Sequence, residues 1–279
     1  MIPPIARRFV AGETPATALE HTREINGHGI SGILNLLGEH YEERGPADAD
    51  RDAYLDLIDE IGRNRVDACV SVKPSQIGLD AGQPVFEENY TDIVEYARDA
   101  DVFVWMDMED RTTVDATIDA FETATSMYPG GVGLCVQANL KRTEDDIERL
   151  VELPGKLRLV KGAYDEPPAA AYQSKSEVNR AYRERLTYLF EHADDGDVAV
   201  GSHDPAMIER AAELHEEFGT EYELQMLMGV REEAQRELAD EVPVYQYIPY
   251  GEKWLSYFYR RVMERKENLL FAARAVLGR

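Results

Sequence analysis

Short apolar, β-prone runs recur along the chain. Each is followed by a longer, charged stretch whose apolar positions are spaced for one face of a helix. The runs are ISGILNLLG (30–38), DACVSVKPS (67–75), VFVWMDMED (102–110), GVGLCVQANL (131–140), LRLVKGAYD (157–165), VAVGSHD (198–204), YELQMLMG (222–229) and VPVYQYIPYG (242–251). Helices are predicted over 50–63, where Tyr54, Leu57, Ile58 and Ile61 share a face, and over 111–127, after an acidic Glu109-Asp110 start that suits a helix N-terminus. Further helices are predicted over 144–152, 174–193, 205–218, 231–240 and 252–276. Thr143 with Asp146 resembles a capping box, and Asp204 followed by Pro205 reads as an N-cap with proline at the first helical position.

Strand–helix alternation implies parallel strands joined by crossover helices. Eight such units in 279 residues point to an α/β fold, a (β/α)8 barrel. A doubly wound open sheet is the alternative, but no G-x-G-x-x-G follows the first run. No linker or low-complexity block interrupts the pattern, so residues 1–279 read as one domain. Residues 1–29 form a lead-in, in which His21 and His28 flank a glycine-containing entry to the first strand, read as loop.

Fifty-four acidic residues face thirty basic ones, a net charge of −24. Such a chain repels nucleic-acid phosphates and shows no basic patch to offset this, so no nucleic-acid partner is expected. Seven of the basic residues are lysine and the rest arginine. An acid-rich, lysine-poor surface is that of a protein working in concentrated salt, which screens self-repulsion; a halophilic source is expected. Cys69 and Cys135 sit in apolar runs and read as small core residues, not as a disulfide framework. The start carries no long apolar segment, and no run reaches the roughly 18 residues of a membrane helix. A cytoplasmic protein is expected, with peripheral membrane contact left open.

Barrel active sites sit at the C-terminal ends of the strands. The polar residues there are Glu39, Lys73, Asp107 with Glu109, Gln137, Lys161 with Tyr164, Ser202 with His203, Gln225 and Tyr247. Polar groups inside apolar runs are costly to bury singly, and eight strands doing it together favour a lined pocket. The last helix adds Arg260 and Arg261, a pair suited to gripping a carboxylate, with Glu264 one turn later. No histidine pair or Cys/His cluster has metal-ligand spacing, so no metal is expected. Ser202 beside His203 is not a triad, since adjacent strand residues point to opposite faces. Lys73 or Lys161 could serve as the Schiff-base lysine of an aldolase-like barrel. A non-catalytic barrel that binds an amino acid through the arginine pair is a third reading.

These residues and their neighbours resemble proline dehydrogenase, the flavin-dependent enzyme of proline catabolism that also forms one domain of proline utilisation A. The matching blocks are SVKPSQIGLD (71–80), MDMEDR (106–111), VGLCVQANLKR (132–142), RLVKGAYDEP (158–167), GSHD (201–204), YELQMLMGV (222–230) and YIPYGEKWLSYFYRRVMER (247–265). The resemblance implies a distorted barrel with the last helix over its mouth, and FAD held without a Rossmann unit. It implies that Lys73, Arg260 and Arg261 hold the carboxylate of L-proline. Tyr164, Leu227, Tyr247 and Tyr257 would pack on the pyrrolidine ring. Asp107 would lie beneath the site, and Arg158 would reach the flavin's reactive edge. Met108, Gln137, Val160, Lys161, Gly162, Ala163, Ser202 and His203 would contact the cofactor, and Glu264 would close the lid. Hydride transfer from proline would yield Δ1-pyrroline-5-carboxylate, with a membrane quinone as electron acceptor.

Overall fold

The computed structural model describes residues 2–3 and 6–259. Eight strands are present among these residues: β1 (Ile30–Leu36), β2 (Ala68–Val72), β3 (Val104–Met106), β4 (Val132–Gln137), β5 (Lys156–Val160), β6 (Val198–Gly201), β7 (Tyr222–Leu227) and β8 (Val244–Tyr250). All pair in parallel and in chain order, and β8 closes on β1, so the predicted (β/α)8 barrel is borne out. Pairing is uneven. β1 and β8 run side by side over seven residues, from Ile30 against Val244 to Leu36 against Tyr250. β3 contributes only three.

The helices are α1 (Pro15–Asn26), α2 (Arg44–Asn64), α3 (Gln83–Ala100), α4 (Val114–Met127), α5 (Thr143–Leu150), α6 (Lys175–His192), α7 (Pro205–Phe218) and α8 (Glu232–Leu238). Two correct the sequence reading. The lead-in is not all loop: α1 places His21 on a helix that opens at a Thr14–Thr17 capping box. And α3, which the sequence analysis assigns no helix, buries Phe86, Tyr90, Ile93, Val94 and Ala97 at helical spacing. Further corrections concern helix starts. α2 begins at Arg44 rather than 50, with Pro46 in the first turn, where backbone N–H groups need no helical partner. α4 starts only at Val114, because Asp110 accepts from the backbone and hydroxyl of Thr112 and holds a turn there. The Thr143–Asp146 box does not form: Thr143 donates to the carbonyl of Gln137 and Asp146 pairs with Arg142. Asp204 does cap α7, accepting from Ala206 N–H at 3.1 Å.

α1 packs on β1 and β8, the place in the ring where a helix after β8 would lie. Its buried Ala18, Leu19 and Ile25 belong to the main core between strands and helices. The chain after β8 therefore has no outer groove to fill. Residues 254–259 are helical, and Trp254, Tyr257 and Phe258 pack instead on Ile2, Phe9, Val10 and Leu37. The predicted continuation to 276, with Arg260, Arg261 and Glu264, lies outside the described residues.

Excess acid also shapes the outer ring. Arg44, Arg51, Arg142 and Arg149 each pair with two carboxylates, and each joins neighbouring segments, as Arg51 of α2 does with Asp92 of α3 at 2.7 Å. The remaining carboxylates repel one another at low salt. Raising KCl from about 0.1 M to about 2 M, which shortens the Debye length from about 10 Å to under 3 Å, is expected to raise Tm by several degrees. A Tm that falls across that range contradicts the reading of the surface.

Candidate active site

Alternation along each strand turns every second residue toward the barrel axis. The lower interior is packed by Ile33, Cys69, Trp105 and Ala199, with Phe103, Tyr245 and Tyr247 against them. The indole of Trp105 fits because Gly133 has no side chain; a Cβ there would lie 2.5 Å from the ring. One step further along the strands the inward residues become polar and open into a cavity of about 670 Å³.

Its centre is Asp107, just past β3. One carboxylate oxygen accepts from Ser71 Oγ at 2.7 Å and from an Nη of Arg158; the other accepts from Tyr247 Oη at 2.6 Å. Lys73 Nζ stands 3.6 Å away and donates to Asn35 Oδ1 at 2.7 Å. Burial pushes the Asp107 carboxyl up. Arg158, then Lys73, Tyr247 and Ser71, outweigh burial and hold it below the usual carboxylate range. Arg158 lies over the rings of Trp105 and Tyr247, 4.9 and 5.8 Å from their centroids. Burial and the neighbouring Asp107 push the Tyr247 hydroxyl well above its ordinary value, so it donates to Asp107 across the working pH range.

Glu109 does not start a helix. It is buried and accepts from the backbone N–H and hydroxyl of Ser75, at 2.7 and 2.8 Å, which ties the Lys73 loop to the end of β3. Gln137 in turn donates to the Glu109 carbonyl at 2.6 Å. On the other side of the mouth, Lys161 bridges Asn179 and Asp204, each at 2.6 Å. An ammonium paired with a carboxylate is a poor nucleophile, which argues against Lys161 as a Schiff-base lysine. The backbone N–H of Leu227 donates to His203 Nε2 at 3.0 Å, so that nitrogen accepts and a neutral ring carries its proton on Nδ1.

Every strand-end residue named from the sequence lines this one cavity. So do Met108, Arg158, Val160, Gly162, Ala163, Leu227 and Tyr257. Ser202 and His203 both face it, because they follow the end of β6 and strand alternation no longer applies to them. Arg260, Arg261 and Glu264 are not among the described residues. Cys135 is buried as expected, yet it also lines the cavity. Sequence reasoning missed Asn35 and Ser71, which hold Lys73 and Asp107. It also missed Gln235 and Gln246: Gln246 donates to Gln235, which donates to the carbonyls of Leu227 and Val230 and fixes the loop after β7.

A flavin is tested by what surrounds residues 160–163. Gly162, at φ +105°, lies so close to Asn139 that a Cβ would fall 2.0 Å from Oδ1. That Oδ1 is buried and has no hydrogen-bond partner among the described residues. Bare backbone at Gly162, with amide, ammonium, hydroxyl and imidazole groups of Gln137, Lys161, Ser202 and His203 around an apolar wall of Met108, Val160 and Met226, fits a flat, polar-edged heterocycle.

The family model described as proline dehydrogenase matches residues 18–274. The chain is 34% identical over 282 residues to proline dehydrogenase of Deinococcus radiodurans, across 98% of this chain and 90% of that protein. It is 32% identical over 276 residues to proline dehydrogenase 1 of Bacillus subtilis strain 168, with the same coverage of each. Among solved structures, proline utilization A from Bdellovibrio bacteriovorus superposes with a TM-score of 0.85 at 22% identity, over 93% of this chain. The chain spans about a third of that protein, at 32% of its length.

Burial, opposed by the Ser75 bonds and by Lys73 and His40, leaves Glu109 with a raised pKa. Stability linked to it is full below the ordinary glutamate pKa of about 4.3 and is lost as pH rises through the higher folded value. Glu109→Gln removes that dependence. The Tm of the variant relative to wild type should climb from about pH 4 toward neutrality; a difference that does not change with pH refutes the assignment.

Proposed function

The chain belongs to the proline dehydrogenase family, and from that premise we propose how its residues oxidise proline. It is an oxidoreductase acting on a CH–NH donor, in the first step of proline catabolism. The family's cofactor is a flavin, and we take it to be FAD, bound by Met108, Gln137, the 160–163 backbone with Lys161, Ser202 and His203. When bound, it would supply the acceptor for the hydride that leaves the ring carbon next to nitrogen.

The observation that carries the reading is the pair of cations set around one buried carboxylate inside a cavity with an apolar wall. Lys73 turns its ammonium toward Asn35 and Asp107 and remains at the cavity surface, where it holds the substrate carboxylate together with Arg260 and Arg261. Tyr164, Leu227, Tyr247 and Tyr257 pack on the pyrrolidine ring and keep water from it. Asp107 fixes Lys73 and Arg158 relative to each other. Arg158, buried and always charged, would face the cofactor and favour negative charge there. Glu264 closes the mouth over bound substrate. The product is Δ1-pyrroline-5-carboxylate.

We assign the whole chain to one catalytic domain. No helix among the described residues is long and apolar enough to cross a membrane. We propose a membrane quinone as acceptor, met by a cytoplasmic protein through peripheral contact with the membrane.

The experiment is an absorbance spectrum in high salt before and after anaerobic L-proline. A flavin spectrum that bleaches supports the reading, and the absence of flavin after FAD is added back refutes it. Lys73→Met should raise the KM for proline about 10- to 100-fold, the loss of one charge-assisted hydrogen bond, while flavin content is unchanged. An unchanged KM removes Lys73 from the carboxylate grip.

A further inference from the structure

We propose that Glu223, near the N-terminal end of β7, is a positioning residue that sets the orientation of the Arg158 guanidinium through Gln225. Glu223 and Gln225 are alternate residues of one strand and face the barrel axis together; Lys156 and Arg158 do the same on β5. All are buried except Lys156, whose side chain is 23% exposed. Glu223 Oε2 accepts from Lys156 Nζ at 2.6 Å, and Glu223 Oε1 accepts from Gln225 Nε2 at 2.7 Å. Gln225 Oε1 then accepts from Arg158 Nη1 at 3.0 Å, while the other Nη of Arg158 donates to Asp107.

A buried glutamine has two ways round, and only one puts an acceptor on Arg158. The flipped amide would set NH2 against a guanidinium N–H, donor against donor. A carboxylate is acceptor-only, so Glu223 draws Nε2 to itself and turns Oε1 toward Arg158. Lys156 neutralises the buried carboxylate and lies over Phe103, 5.6 Å from the ring centroid. The rings of Trp105 and Tyr247 restrain the guanidinium plane. Asp107 and Gln225, one on each Nη, stop it turning about the Nε–Cζ bond. No residue of the Lys156–Glu223 pair lines the cavity, so its influence on the site passes through Gln225.

The consequence for turnover rests on the role given to Arg158 above; the orientation does not, and it is read without cofactor or substrate. Side-chain NMR of protein labelled with 15N-arginine, assigned by the signals lost in Arg158→Lys, should show two resolved Nη resonances for Arg158 in the wild type. In Glu223→Gln they average or broaden, because an amide at 223 no longer dictates which way Gln225 lies. Gln225→Leu does the same, and the double variant is no worse than either single one, since both act on one link. Lys156→Met lowers Tm but keeps the two resonances resolved, which separates positioning from general loosening of the core.

In the flavin-loaded protein, Glu223→Gln should lower kcat about tenfold, roughly one oriented hydrogen bond on the cation, with the KM for proline within about twofold. If Glu223→Gln does not fold, Glu223→Leu with Lys156→Leu, which exchanges the ion pair for apolar side chains, carries the same comparison. Resolved Arg158 signals after loss of the Glu223 carboxylate overturn the proposal, as does equal averaging in Lys156→Met. Wild-type protein that fails to bleach with proline refutes the functional reading alone, because the NMR comparison is still decided.

Discussion

One buried carboxylate constrains the whole upper half of the barrel. Asp107 follows the shortest of the described strands and keeps only 14% of its side chain exposed, so its charge is met mainly by protein groups. Ser71 and Lys73 come from β2 and the loop beyond it, Arg158 from β5 and Tyr247 from β8. Each partner is itself a strand residue or a strand's continuation, so satisfying the carboxylate fixes four strands' ends relative to one another. The same act collects two cations at the mouth of a chain whose net charge is −24. A surface that repels anions thereby encloses a site that attracts a carboxylate.

The ring of helices serves the mouth in a different way. Because α1 occupies the groove between β8 and β1, the chain leaving β8 is released from the outer ring. Its first helical residues settle on the N-terminal segment and on Leu37, and Tyr257 enters the cavity lining. The lead-in segment and residues 254–259 thus support each other above the barrel, and the cavity acquires a wall that strands alone do not supply. Beneath the pocket, Trp105 seated on Gly133 gives Arg158 a rigid floor.

Much of this was legible in the sequence because the barrel repeats one simple pattern. Each apolar run of β-branched and large residues became a strand, and each polar residue at its end reached the cavity. What stayed hidden was of two kinds. Helix α3 carries a helical stripe, yet its buried face includes Asn89, which donates to the Ile77 carbonyl and to Asp48 and so breaks the apolar pattern. Helix α1 presents only a narrow apolar stripe among charged and hydroxyl residues, and reads as loop for that reason. The second kind is partnership. Asn35, Ser71 and Glu223 sit inward in otherwise apolar strands; Ser71 and Glu223 lie two residues before Lys73 and Gln225. Following the two-residue period back from each strand end would have found them. Pairings such as Lys161 with Asp204, or Lys253 with Tyr41, join segments far apart in the chain, and a period shows which face a residue takes but not what it meets.

The Asp107 charge organises the site, and thermal unfolding of Asp107→Asn at neutral pH measures how far. The substitution keeps shape and size and removes the charge that Arg158 and Lys73 answer. Breaking a buried pair from one side costs about 3–5 kcal/mol, which in a domain of this size lowers Tm by roughly 10 °C. A fall of that order is expected. A variant that unfolds at the wild-type temperature would show the two cations to be stable without the carboxylate and would rule out that role for Asp107.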